Sequence, residues 1–252
     1  MTWLLTLAFD GTEYCGFQVQ PNGRSVAAAF QDALEAVIGF RPDIKGCSRT
    51  DAGVHALGFA LSFEVDLRIP PEKLPLALNT KLPRDIRVLK ARVVPDGFHA
   101  RYAAHTKTYL YRIRNSPIDS PFEERYYCRI PGRLDVERMQ RAAAHFVGTH
   151  DFLALCAAHS SAAAHGDTVR TITACGAERH GDTVEITVTA DGYLYNMVRI
   201  LAGTLCEAGA GRLDPEAVPA ILASRDRRLA GPTLPAKGLF LHHVDYGKEA
   251  EG

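Results

Sequence analysis

The sequence predicts an α+β fold built from two successive β-α-β-β-α-β units, and three observations carry that prediction. Strand-like and helix-like segments follow one another in this order twice along the 252 residues. No segment rich in Gly, Ser or Pro separates compact stretches, and no repeat of solenoid length appears. The length also suffices for two units of roughly 120 residues, each able to bury its own core. Units of this order are ferredoxin-like (RRM-like), with mixed or antiparallel sheets, and two of them are expected to meet at a central cleft.

The elements follow in chain order. WLLTLAF, residues 3–9, reads as the first strand. In SVAAAFQDALEAVI, Ser25 serves as N-cap and Val26, Phe30, Leu34 and Val37 fall on one helical stripe. DIKGCS is strand-like. FALSFEV alternates Phe59, Leu61, Phe63 and Val65 with Ala60, Ser62 and Glu64, as a half-buried strand does. A short helix around PEKLPLALNTKL and the strand IRVLKARVV close the first half, with its boundary expected at residue 105.

KTYLYRIR opens the second half, residues 106–247. Asp135 caps a helix carrying Val136, Met139, Ala143 and Phe146, which Gly148 should stop. VRTITACGAERH and TVEITVTA form a hairpin around His180-Gly181-Asp182. The apolar run YLYNMVRILAGTLC predicts a helix, Asp214-Pro215 opens another, and GLFLHHVDY is the last strand. Residues 156–168 show no periodicity and predict an irregular loop; residues 248–252 predict a frayed tail.

Composition excludes several function classes. The six cysteines are scattered, with neither a CxxC pair nor histidines at ligand spacing, so they read as core thiols of a reducing compartment. His150, His159 and His165 resemble a ligand cluster only in linear order, and packed or solvated histidines are the simpler reading. The opening MTWLLTLAFDG is too short and lacks the basic leader of a signal peptide. No run approaches the ~18 apolar residues of a membrane span, so a cytoplasmic chain with no membrane partner is expected. No Gly-rich phosphate loop, dinucleotide fingerprint or GxSxG is present.

Net charge is zero, with 29 basic and 29 acidic residues, yet residues 81–141 hold 14 basic and 7 acidic groups. A basic middle in a neutral chain suits a polyanionic partner, although a solvated face is the plainer explanation.

Residues 48–56, SRTDAGVHA, set Arg49 and Asp51 in a glycine-bearing turn between two strand-like segments. Standing alone they read equally well as a turn with a solvated ion pair. Tyr109 and Tyr111 share one face of the strand that opens the second half, where cross-strand packing would also explain them. Arg199 lies in an otherwise apolar helix, either at the surface or as a buried guanidinium with an acidic partner. Together these residues offer an aspartate available as nucleophile or base, an arginine able to keep it ionised, and an aromatic face for a flat heterocycle.

These segments are also where the chain resembles the TruA family of tRNA pseudouridine synthases. The likeness runs through LAFDGTEYCGFQVQ, SRTDAGVHA, HALGFALSF, NTKLPRDIRV, FHARYAAHTKTYLYRI, YLYNMVRILAG and PAKGLFLHHVDY, in family order over nearly the whole chain. The resemblance implies an isomerase that converts uridine to pseudouridine in the anticodon stem-loop of tRNA, at positions 38 to 40. It implies a homodimer with tRNA as partner and no cofactor or metal. Asp51 resembles the catalytic aspartate, Arg49 the neighbour that helps to displace the target base, Tyr109 the tyrosine that stacks on the uracil, and Arg199 the arginine that pairs with the aspartate.

The residue chemistry agrees. Breaking a C–N glycosidic bond and rejoining the base through C5 needs a carboxylate, attacking either ribose or ring, and a group to take the C5 proton. It needs no redox step. A stacked uridine must first leave its helix, at a cost of a few kcal/mol. RNA-backbone contacts give the basic middle a purpose, with Arg84, Arg92, Arg101 and Arg114 the leading candidates. Two positions depart from the family: Phe17 replaces a tryptophan, and Leu155 replaces a phenylalanine before a loop poor in arginine. A non-catalytic RNA-binding protein with RRM-like halves would carry an RNP run, and none is present. An aspartate-nucleophile hydrolase or glycosidase would want a second carboxylate at fixed distance.

Overall fold

The computed structural model describes residues 1–21, 23–157 and 164–250. The chain divides into two compact units, Met1–Thr106 with Phe240–Gly252, and Lys107–Leu239.

In the first unit, β1 (Thr2–Phe9), α1 (Val26–Ile38), β2 (Ile44–Gly46), β3 (His55–Glu64), α2 (Leu74–Asn79) and β4 (Ile86–Val94) follow the expected order. The strands lie β4-β1-β3-β2, each antiparallel to its neighbour. This is the arrangement that a β-α-β-β-α-β unit produces when both helical crossovers return to one sheet. Ser25 Oγ accepts the Ala28 N–H at 3.2 Å, and Gly39 ends α1 in the left-handed region that only glycine adopts without strain.

Two expectations are corrected here. β3 does not alternate buried with exposed side chains: Ala60 and Ser62 are buried along with Phe59, Leu61 and Phe63. Both faces of this stretch are therefore covered, and Ser62 stays satisfied because its hydroxyl accepts the Ala100 N–H at 3.0 Å. The last strand, β10 (Leu239–Asp245), groups with the first unit from Phe240 onward. Phe240 and Leu241 pair in parallel with His55 and Ala56 of β3, beyond the stretch that β2 occupies. A strand-to-strand pairing across ~180 residues leaves no trace in local periodicity.

The second unit contains β5 (Thr106–Arg114, from Lys107 onward), β6 (Cys128–Arg129), α3 (Val136–Ala144), β7 (Gly148–Asp151), β8 (Val169–His180), β9 (Thr183–Ala190), α4 (Met197–Gly209) and α5 (Val218–Ser224). Its strands lie β5-β9-β8-β7, all antiparallel, with β6 parallel to the end of β5. Asp135 caps α3 by accepting the Arg138 N–H, and α3 packs on β8 and α4. Arg138 in turn donates to the carbonyls of Ala208 and Leu213 at 2.8 and 2.9 Å, satisfying the end of α4.

α4 starts four residues later than the apolar run suggests. Tyr193–Tyr195 stay outside the helix because Asn196 takes φ 60°, which breaks the helical path. The irregular loop expected at 156–168 falls in part on residues 158–163, outside the described residues. A 3-10 turn over Gly247–Ala250 stands where a frayed tail is expected. All six cysteines are free thiols. Among the described residues no helix is long and apolar enough to cross a membrane.

Candidate active site

The turn that carries Asp51 is held from below by residues 10–17. Phe17 N–H donates to the Thr50 carbonyl, and Gly53 N–H to the Tyr14 carbonyl, each at 3.2 Å. Within the turn, Val54 N–H closes back on the Asp51 carbonyl at 3.2 Å. Gly16 makes the approach possible. It sits at φ +96°, and a Cβ there would lie 2.4 Å from the Thr50 carbonyl oxygen and 3.2 Å from the Asp51 carbonyl carbon. Side chains brace the same two segments. His55 is buried, stacks on Phe240 at 4.7 Å, and accepts the Gly11 N–H on Nδ1 at 3.0 Å.

Tyr14 is buried beneath the turn. Its hydroxyl donates to Asp85 Oδ1 at 2.6 Å, and the Arg24 guanidinium lies 4.6 Å from its ring centre and 3.6 Å from the other Asp85 oxygen. Burial, reinforced by the hydrogen bond to Asp85, pushes the Tyr14 hydroxyl well above the usual tyrosine range. Asp51 itself is half-buried and Arg49 exposed. A half-buried carboxylate on a turn fixed at both ends is placed by its backbone, which is the property a nucleophile or base requires.

In the second unit, Tyr109 is buried on β5 opposite Val188. Its ring meets Tyr193 edge to face, centroids 4.9 Å apart at 85°. The Tyr193 hydroxyl lies 2.7 Å from the Lys107 carbonyl oxygen and 2.8 Å from that of Val188, so it stitches β5 to β9 beneath Tyr109. Tyr111, on the same face, donates to the Pro235 carbonyl at 2.8 Å. Burial raises the hydroxyl pKa of both Tyr111 and Tyr193.

Arg199 lies in the first turn of α4, half-buried, and not at an outer face. Its Nε donates to the Leu234 carbonyl and its Nη1 to Asn196 Oδ1, both at 2.7 Å. Sequence reasoning missed Asn196, Tyr14, Asp85 and His55. Asn is a common helix-boundary residue, so Asn196 before an apolar run was a readable signal.

The structure sorts the basic middle into two kinds of group. Arg84, Arg92 and Arg101 are exposed. Arg101 follows a turn anchored on both sides, since Ala100 N–H donates to Ser62 and Tyr246 donates to the Ala100 carbonyl at 2.7 Å. Arg114 is engaged by Glu123 at 3.3 Å and Asp182 at 3.4 Å, and Arg112 by Glu185 at 3.2 Å. Arg87 turns onto the carbonyls of Pro83 and Ile86.

His150 makes no ligand cluster; its Nε2 lies 3.1 Å from the Val147 carbonyl and its ring packs on Phe152, while His159 is outside the described residues. Among the described residues no three His, Cys, Asp or Glu side chains are grouped to hold a metal ion. Phe17 sits in the core, stacked on Phe59 at 4.2 Å, and Leu155 is fully buried.

A family model described as tRNA pseudouridine synthase matches residues 6–103 and 142–247. The chain belongs to the tRNA pseudouridine synthase family. Asp51, Arg49 and the exposed arginines fall in the first matched segment and Arg199 in the second, whereas Tyr109 and Arg114 lie between them. Among curated relatives, the tRNA pseudouridine synthase A of Moorella thermoacetica is 47% identical over 244 residues, 96% of this chain and 98% of the relative. That of Shouchella clausii is 45% identical over 243 residues, 96% of this chain and 92% of the relative. That of Bacillus pumilus is 42% identical over 245 residues, covering 96% and 97%.

Proposed function

We propose that this chain isomerises uridine to pseudouridine in the anticodon stem-loop of tRNA, at position 38, 39 or 40, with Asp51 as the essential carboxylate. The observation that carries the reading is the Asp51 turn, tied by three backbone hydrogen bonds and a left-handed Gly16, inside a segment matched to the family. The reaction conserves composition. The C1′–N1 bond breaks, uracil turns, C1′ bonds to C5, the C5 proton leaves and N1 gains one. Asp51 supplies the attacking carboxylate, Tyr109 the aromatic face that holds the loosened base, and Arg199 the cation that favours the ionised carboxylate. Arg49 helps to displace the target base from its stack. Arg84, Arg92 and Arg101 take the RNA backbone. No cofactor enters these steps. The homodimer rests on the family resemblance, and the cytoplasmic location on the sequence expectation given above.

Release of tritium from tRNA labelled at C5 of uridine tests the reading, because a protein that only binds RNA leaves that proton in place. Asp51→Asn and Asp51→Ala should abolish release while leaving tRNA affinity and the unfolding midpoint near wild type, since a half-buried turn side chain carries little of the core. Activity above a few per cent in purified Asp51→Ala protein would remove Asp51 from the chemistry.

A further inference from the structure

Asn196 holds a conformation that costs the chain stability. At φ 60° and ψ 7° it lies in the left-handed region, which among the described residues only one other non-glycine, Arg225, adopts. Strain of this kind persists where the surroundings over-determine it, and such residues gather at functional sites. An asparagine at a helix N-cap ordinarily takes extended backbone and accepts an N–H of the first turn. Asn196 makes no such bond. Its Oδ1 accepts instead from Nη1 of Arg199, at 2.7 Å. The helix thus gives up its cap so that the amide reaches a guanidinium three residues on.

Arg199 is gripped on a second edge. Its Nε donates to the Leu234 carbonyl at 2.7 Å, and Leu234 N–H returns to the Arg199 carbonyl at 3.3 Å. The Leu234 segment is itself fixed to α4. Gly231 N–H donates to Thr204 Oγ1 at 2.9 Å, and a Cβ on Gly203 would lie 1.9 Å from the Pro232 carbonyl oxygen. A guanidinium is planar and its five donors are rigidly disposed, so acceptors on two different nitrogens fix both its plane and its rotation about the side-chain axis. Leu234 alone would leave the side chain free to swing about one bond.

We propose that Asn196 is a positioning residue: it accepts from Nη1 to set the plane and rotation in which the Arg199 guanidinium is presented for its part in the reaction. The proposal rests on the reading of Arg199 given above, and its test separates the two. Asn196→Gly removes the amide and also relieves the positive φ, so a role confined to the left-handed backbone predicts an unchanged rate. Under the proposal, the single-turnover rate of pseudouridine formation falls by up to about 10²-fold, the effect of a small misplacement of a reacting group. The unfolding midpoint should stay at or above wild type and tRNA affinity should not change. Asn196→Asp, which keeps an acceptor oxygen in the same place, should recover most of the rate. In an Arg199→Lys background, Asn196→Gly should add less than about twofold, because the group it orients is already gone.

A wild-type rate in Asn196→Gly alongside an impaired Arg199→Lys overturns the proposal and leaves the reading of Arg199 intact. Wild-type rates in both overturn that reading as well. Equal proportional losses in the wild-type and Arg199→Lys backgrounds, with a lowered unfolding midpoint, make Asn196 structural and also overturn the proposal.

Discussion

Tyr109 combines a ring and a hydroxyl, and one substitution separates them. The ring is fixed edge to face against Tyr193, whose own hydroxyl is held by the carbonyls of two adjacent strands. Phenylalanine at position 109 keeps that packing and loses only the oxygen. If the hydroxyl helps to take the C5 proton, Tyr109→Phe should lower the single-turnover rate by about 10²-fold or more, the usual contribution of a positioned acid or base, with tRNA binding unchanged. Leucine loses both properties and should weaken binding too. Tyr111 supplies the control two residues away on the same face. Its hydroxyl donates to the Pro235 carbonyl and its side chain is fully buried. Tyr111→Phe should therefore lower stability by about 1 kcal/mol and leave the rate alone. A wild-type rate in Tyr109→Phe would reduce Tyr109 to the packing role that its strand position already explains.

At the scale of elements, the site depends on how closely the segment 10–17 approaches the Asp51 turn. Gly16 sets that distance, and its backbone lies where a side chain is strained whatever the space around it. Gly16→Ala should destabilise the protein by about 1–3 kcal/mol and displace the turn enough to slow catalysis by about 10²-fold, with tRNA affinity kept. Thermal unfolding with single-turnover kinetics checks both parts, and an unchanged rate would mean that the turn keeps its place without this contact. Much of this was legible beforehand. The hairpin strands 169–180 and 183–190 stand at the residues expected around His180-Gly181-Asp182, and Ser25 and Asp135 cap the helices they precede. Local chemistry decides such features, so sequence displays them. What stayed hidden depends on contacts distant along the chain. The burial of both faces of β3, the pairing of β10 with β3, and the bracing of Tyr14 by Asp85 join residues 38 to 185 positions apart. Of the site, the SRTDAGVHA and NMVR segments were visible as residues that periodicity did not explain. The grip on Arg199 was not, because it includes a backbone carbonyl 35 positions away.

At the scale of the whole molecule, a chain of zero net charge meets a polyanion through where its charges stand. The 81–141 stretch carries +7, yet the structure withdraws part of it from any partner. Arg112 and Arg114, both half-buried, are engaged by carboxylates of their own unit, which lowers the local positive potential. Arg84, Arg92 and Arg101 remain exposed, two of them beside or on β4. Charges on an edge strand also discourage pairing with other chains, which is the plainer account of Arg92. Salt dependence decides between these accounts. Each phosphate that a guanidinium neutralises releases counterions, so the slope of log affinity against log salt falls by about 0.7 to 0.9 for each contact removed. Arg84→Gln, Arg92→Gln and Arg101→Gln together should therefore flatten the slope by about two to three, weaken all tRNAs alike, and leave the saturated rate unchanged, since these groups position and do not react. Arg114→Gln should leave the slope as it is, because its charge is already balanced by Glu123 and Asp182. A triple variant that binds tRNA with the wild-type slope would make the band a solvated edge and place the RNA surface on other residues.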